Sequence, residues 1–460
     1  MGESEGERAR RRRLLLVALT LGVAATSFPT TLLSASLDVI RLDLRSDLAT
    51  VSWVQVAPNL AFGLGMPLSG KLGDLYGHRR VYLGGFVVST VMAVLTALAW
   101  DPISLIVVRT IGQLGGAAAG PAAFAMIAAA LPEHERGKAI GLLNTVGGIS
   151  PVVAVVVGGP LIDHIGWRAL FLLQAVPAAA AVALAWRVVP ETKRRPDVRF
   201  DLAGAAALSV GAMALLLGIN RARPLGALHP FVVASLVLAP VLVALFFVIE
   251  RRVAEPLLPL HYLRQRTFSP SIVAMSAAQA GFIGGFVLSP LLVQRLFGYS
   301  VTVTALLLVT RPLAFSVGAT IAGRSQGVFD VKRLQLLGHL SLAVGSAVMV
   351  LGALDRSLLL IEVSLIVTGF GNGYARTSLF TLVSGSVDRA DIGIATGVAN
   401  MVSQIGGALG TTIMSAIVAD SVAPGAFAWA FGAGAVMAAM TLPAAAFLRR
   451  APASPATTPR

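Results

Sequence analysis

Apolar runs of about 20 residues recur along the whole chain, each closed by a short polar stretch. They predict fourteen spans: 14–37, 50–69, 81–100, 103–131, 138–160, 167–188, 202–219, 230–249, 269–294, 301–322, 334–353, 358–384, 393–418 and 425–448. The runs lack the alternation of a half-buried strand. A helix of about 20 residues rises about 30 Å, the thickness of a bilayer's hydrocarbon core. Only helices and closed barrels satisfy their backbone polar groups in lipid, so the pattern predicts an all-α integral membrane protein.

Composition sharpens this. The 460 residues are 56% hydrophobic and 13% charged, against about 25% charged in a soluble domain. Such a chain cannot cover a water-facing surface, so lipid must cover it. The absence of cysteine excludes disulfides and thiolate metal sites. A net charge of +14 would suggest nucleic acid in a soluble protein, but its distribution argues otherwise. Of the 36 Lys and Arg residues, 26 fall in the loops or at the span ends on one side of the predicted spans and seven on the other. That asymmetry orients both termini to the cytoplasm and sets the basic loops against anionic headgroups of the plasma (inner) membrane, not against nucleic acid. The remaining three, Arg109, Arg311 and Arg376, lie within spans. The basic start, Arg10 to Arg13, could precede a secretory signal, but Leu14 to Leu37 is longer than a signal's apolar core. With no P-loop and no metal-ligand spacing, neither an enzyme nor a cofactor site is indicated.

The chain also repeats itself. Gly137–Val146 reappears as Gly393–Val402 with five identities, Asn144 matching Asn400, at an offset of 256. Leu60–Gly65 followed by Gly70-Lys71 reappears as Leu313–Gly318 followed by Gly323-Arg324, at an offset of 253. Two segments in one order at nearly one offset predict two related six-helix halves with an inserted helix pair. The expected domains are a cytoplasmic start (1–13), a first half (14–195), a linker with two extra transmembrane helices (196–255), a second half (256–448) and a cytoplasmic tail (449–460).

The stretch Gly70–Tyr82 is a charged, glycine-punctuated hairpin between two apolar runs. It resembles the signature loop of the major facilitator superfamily, G-x-L-[A/G]-D-x-x-G-[R/K]-[R/K]. Gly70, Leu72, Gly73, Asp74, Gly77 and Arg79 match, with His78 where a basic residue is usual. The two-halves-plus-pair plan and the segment Glu250–Thr267 resemble the 14-helix drug:proton antiporters. The resemblance implies a gating loop in which Asp74 caps the start of a helix of the other half, near Asp391 to Gly393. A solvated turn carboxylate is the alternative. The second copy of the loop, Gly323–Arg333, carries Gly327 in place of the Asp.

Within the spans, Arg109 precedes Gln113 as in the family's R-x-x-Q-G-x-G, but with Gln and Gly exchanged. The resemblance implies a part in proton transfer; a structural pair is the alternative. Arg311 lies about ten residues from the end of its span, about 15 Å deep, and Pro312 should bend the helix there. A guanidinium at that depth is expected to face the central cavity or an internal partner. Arg376 lies near a span end, close enough to snorkel. Gly147, Gly148, Gly158 and Gly159 permit close helix approach, which places spans 5 and 13 at the interface of the halves. Gly158-Gly159 and Trp167-Arg168 fit the antiporter pattern, while Ala154-Val155 replaces its Gly-Pro. The antiporters' span 1 Asp is Pro29 here, and every span is free of Asp and Glu in its central part. Glu362, near the outer interface, is the remaining candidate for the coupled proton, or else a plain interfacial charge. Asn59, Asn144, Asn400 and Gln113, with Gln174, Gln279, Asn372 and Gln404, are interhelical hydrogen-bonders first and substrate contacts second.

Together these features predict a secondary transporter that acts as a monomer in the bilayer on a small-molecule substrate. By resemblance it exports drugs or secondary metabolites in exchange for protons, by alternating access. Two alternatives stay open: an exporter of a lipid or anionic metabolite, and a non-transporting sensor or assembly protein on the same fold.

Overall fold

The computed structural model describes residues 5–27, 29–189, 191–192, 194, 201–253, 256, 260–325, 330–387, 392–419 and 421–442, and these contain helices and no strands. In the first part of the chain are α1 (Glu5–Ser27), α2 (Pro29–Asp43), α3 (Leu48–Val51), α4 (Trp53–Tyr76), α5 (His78–Ala97), α6 (Pro102–Gly116), α7 (Ala119–Ala130), α8 (Glu133–Ile165) and α9 (Arg168–Val188). Then come α10 (Leu202–Leu225) and α11 (Pro230–Glu250). The last group is α12 (Phe268–Phe297), α13 (Val301–Leu308), α14 (Thr310–Ser325), α15 (Val331–Leu354), α16 (Leu358–Gly385), α17 (Ile392–Val418) and α18 (Pro424–Ala439).

Helix ends follow local chemistry. Gly77 ends α4 at φ +100° and Gly166 ends α8 at φ +102°, backbone conformations that side chains with a Cβ resist. Asp101 starts α6 with a capping box: its carboxylate accepts the Ser104 N–H at 2.6 Å, and Pro102 occupies the first helical position. Those bonds, the Ser104 N–H first, hold the Asp101 carboxyl below the usual carboxylate range.

Among the described residues, three predicted spans divide into two helices of eight or more residues each. The run 14–37 divides into α1 and α2, which meet at 42° just before Pro29. Proline cannot donate to the preceding turn and its ring clashes with that turn's carbonyl. For the same reason 301–322 breaks at Val309, three residues before Pro312, and 103–131 breaks at Ala117 and Ala118. Among the described residues, eleven helical segments are long and apolar enough to cross a membrane, or twelve if α1 and α2 form one span. The helix α4 is not among them, because its 24 residues include Gln55, Asn59, Lys71 and Asp74; α18 is apolar but only 16 residues long.

The most extensive pairings run within each end of the sequence. In the first part α5 packs on α6 and α9, α1 on α9, and α4 on α6; in the last, α15 packs on α16 and α18, α12 on α17, and α14 on α16. The pair α10 and α11 pack on each other, with α10 also against α4 and α17. Lipid is as apolar as leucine, so close approach rather than hydrophobicity holds such helices together. Gly338, Gly345 and Gly352 form a stripe along one face of α15. A Cβ on any of them would press against α16 at Ala375, Thr368 or Ile361.

The two ends of the bundle are packed differently. At the end opposite the Gly70–Arg80 hairpin, one buried core joins Leu32, Leu37 and Phe171 of the first part to Leu288, Leu308 and Phe427 of the last. At the hairpin end there are two separate cores. One is centred on Leu19, Tyr82 and Met126, the other on Phe268, Leu379 and Ala399.

Candidate functional site

The hairpin between α4 and α5 is clamped by the chain that leaves α9. Glu191 accepts the Arg79 N–H at 3.3 Å and pairs with Arg80 Nε at 3.5 Å. The His78 N–H donates to Thr192 Oγ1 at 2.9 Å, and Arg79 Nη2 donates to the Trp186 carbonyl at 2.6 Å. At Gly77 a Cβ would run into the Glu191 carboxylate, so glycine is needed there for space as well as for φ. Gly70 faces Pro121 of α7. Asp74 is partly exposed and pairs with His78 Nε2 at 3.3 Å. Its expected partner is a helix start near Asp391 to Gly393: α17 begins at Ile392, and Asp391 lies outside the described residues. In the sequence Glu191 and Thr192 fall at the end of the first half (14–195), just past its last predicted span. Their position next to a proline gave no sign that they would close the hairpin.

The two mid-span arginines occupy separate interiors. Arg109 on α6 is buried, donates Nε to the Val54 carbonyl of α4 at 2.9 Å, and lies 5.2 Å from the Phe171 ring. Gln113, Gln174, Ser89 and Thr96 share its cleft between α5, α6 and α9. Arg311 on α14 is also buried. Its Nη2 donates to the Phe282 carbonyl at 3.0 Å and its guanidinium stacks 4.2 Å from the Phe282 ring. Gly285, Ser289, Ser346 and Thr368 surround it, so it faces the interior of the α12–α18 bundle. Neither arginine has a carboxylate partner among the described residues. A carbonyl and an aromatic face offset part of the burial cost, while Arg311 Nε and Nη1 have no acceptor there.

Glu362 on α16 accepts the Thr310 hydroxyl at 3.1 Å, and its second oxygen is buried without a partner among the described residues.

The predicted polar residues fall at seams. Gln404 of α17 donates to the Asn59 carbonyl of α4 at 3.3 Å, and Asn400 accepts from Arg376 Nη2 at 3.2 Å. Arg376 therefore turns inward rather than snorkelling. The Asn144 side chain lies outside the described residues, and Gly148 lies on α8. Gly147 lies near Val23 of α1, Gly158 meets Leu32 of α2, and Gly159 lies against Thr302 of α13. The glycines of α8 thus allow it to approach helices from both ends of the sequence.

One set of contacts has no counterpart in the sequence reading. Asp163, at the end of α8, accepts the N–H groups of Val301 (3.2 Å) and Thr302 (3.1 Å) at the start of α13. Nearby, Arg295 of α12 pairs with Asp38 of α2 at 2.7 Å and donates to the Ala419 and Ser421 carbonyls. All of these lie at the end opposite the hairpin, where the core is continuous. Asp43 braces the same end by accepting from Trp167 Nε1 and Arg168 Nη1 at 2.9 and 2.7 Å.

Comparison with known proteins completes the picture. The family model of the Major Facilitator Superfamily matches residues 19–411 and 271–460. The chain is 27% identical over 409 residues to the tetracenomycin C resistance and export protein of Streptomyces glaucescens, covering 88% of this chain and 76% of that one. It is 24% identical over 414 residues to the multidrug transporter protein MdtP of Bacillus subtilis, covering 90% and 76%. Among solved structures, a peptide transporter in complex with sulfate superposes with a TM-score of 0.70 at 14% identity, covering 94% of this chain and 95% of that one.

Proposed function

From the premise that the chain belongs to the Major Facilitator Superfamily, and so is a multi-pass transporter and not an enzyme, we propose that it exports small amphipathic molecules from the cell. The export proteins among its relatives support that direction. In this reading it works in the plasma membrane by alternating access, driven by proton antiport. It has fourteen spans, with α1–α2, α6–α7 and α13–α14 each counting as one and α4 and α18 included. Two six-helix halves flank the α10–α11 pair, both termini are cytoplasmic, and the hairpin end faces inward, an orientation that the basic loops support.

The observation that carries alternating access is the difference between the two ends. The outer end has one core plus the Asp163 and Arg295 links between halves, and the inner end has two cores. That is the arrangement of a carrier closed to the outside and able to part on the inside. Glu362, half in contact with Thr310 and half unpartnered, is the residue proposed to carry the proton. The three buried or half-buried arginines, with no mid-span acid in the sequence, favour an anionic cargo as the second reading.

Everted membrane vesicles test the proposal. An imposed pH gradient, acid inside, should drive uptake of ethidium or of an anionic dye, and adding dye should release protons. Glu362→Gln should abolish the exchange. Vesicles in which neither a cationic nor an anionic dye responds to the gradient would overturn antiport.

A further inference from the structure

Polar groups from three helices converge on one cleft in the second half. Arg376 and Asn372 lie one turn apart on α16, Gln279 comes from α12, and Asn400 of α17 accepts from Arg376 at 3.2 Å. Two of these groups are unsatisfied. The Asn372 amide nitrogen has no acceptor and the Gln279 carbonyl oxygen has no donor among the described residues, although the side chains are 1% and 3% exposed. Buried amide atoms are nearly always paired, so an unpaired donor and an unpaired acceptor lining one cleft mark a place where something else bonds. Met275 and Leu379 supply an apolar wall, and no carboxylate among the described residues lines the cleft.

The location suits a moving substrate. On α17 the next turn after Asn400 carries Gln404, which bonds to Asn59 of α4, so the cleft borders the seam between the two halves. The cleft encloses only about 10 Å³, room for about one water molecule and far below the roughly 300–1,000 Å³ of a pocket for a whole drug-sized ligand. In this conformation it admits only the polar tip of a larger molecule, whose remainder would lie in the seam. Arg109 and Arg311 are committed to backbone carbonyls and rings, whereas Arg376 is held by a side-chain amide that can be displaced.

We propose that this cleft is a substrate subsite for an anionic, acceptor-rich group: a carboxylate or ionised phenol with a neighbouring hydroxyl on an apolar ring. Arg376 and Asn372 donate to the anion, and Gln279 accepts from the hydroxyl. The inference rests on the export reading, but its test reads binding rather than flux.

The probe is 3-hydroxy-2-naphthoate, compared with its methyl ester, which keeps the hydroxyl and loses the charge. Equilibrium dialysis against the purified protein should show the anion bound at least tenfold more tightly than the ester. Arg376→Gln should erase that preference, Arg376→Lys should keep part of it, and Asn372→Ala should weaken anion binding about threefold. Thermal unfolding of each variant confirms that it is folded, with Arg376→Lys as the informative variant if Arg376→Gln is not. No preference in the wild type, or a preference that survives loss of the Arg376 charge, overturns the subsite. Flux in proteoliposomes is read separately: charge-selective binding without transport would sink export and leave the subsite standing.

Discussion

Replacing Asp163 with alanine removes the acceptor for two backbone N–H groups that belong to a different helix, α13, 138 and 139 residues further along the chain. Ser300 already caps α13 by accepting the Val303 N–H at 3.3 Å. With Asp163, three of the donors that a helix start leaves unpaired are satisfied. Losing a carboxylate cap costs about 0.5–2 kcal/mol, and its interaction with the helix dipole contributes about 0.3–1 kcal/mol of that stabilisation. Asp163 is exposed, so solvent screens its charge and the lower part of the range applies. About 1 kcal/mol is lost, and only from the state in which α8 and α13 touch. That loss shifts the equilibrium toward outer opening by a factor of about five. The chain has no cysteine, so spin labels can be placed without background. Ile165→Cys and Tyr299→Cys are exposed positions flanking the contact. Electron–electron distance measurements between them should show the long-distance population rising about fivefold in Asp163→Ala, with Asp163→Asn intermediate. An unchanged distribution, or a shift to shorter distances, would refute the latch.

Three further outcomes are expected. Gly77→Ala strains a residue held at φ +100° and drives a Cβ into Glu191; a cost of about 1–3 kcal/mol should lower the melting temperature and expose the hairpin to limited proteolysis. Gly338→Val on the α15 stripe should destabilise by about 1–3 kcal/mol through overpacking, whereas Gly84→Ala, with nothing within 4 Å, should be neutral or stabilising by up to about 1 kcal/mol; differential scanning fluorimetry in detergent distinguishes them. Arg311→Met should hold or raise the melting temperature, because an apolar side chain of similar size replaces a costly buried charge, while vesicle flux falls; unchanged flux would make Arg311 a packing residue.

Helix positions were legible because each apolar run is long, and the bend before Pro29 and the break before Pro312 follow from proline's missing donor. The hairpin was legible because its glycines and charges sit close together in sequence. The Asp163 latch was not: one acid at a helix end looks like any interfacial charge until a helix start 138 residues later is placed against it. Asn400 stood out as the repeat mate of Asn144, but its tie to Arg376 depends on how α16 and α17 are rotated against each other, which apolar patterning leaves open. Arg311 was expected at depth and is buried. Which interior it faces was set by the close approach that Gly285 and Gly369 permit around it, a property of helix contacts rather than of any single run.

The helix pair α10–α11 leans on one side of the molecule only. Leu216 of α10 packs with Trp53 and Leu60 of α4 and Ala408 of α17, and Arg223 donates to the Ala416 carbonyl at 2.8 Å. The crevice between α4 and α17 is therefore roofed over, while that between α8 and α13 has no helix pair across it among the described residues. Greasy cargo dissolved in the surrounding leaflet would meet one open flank instead of two, so its sideways route into the carrier is handed.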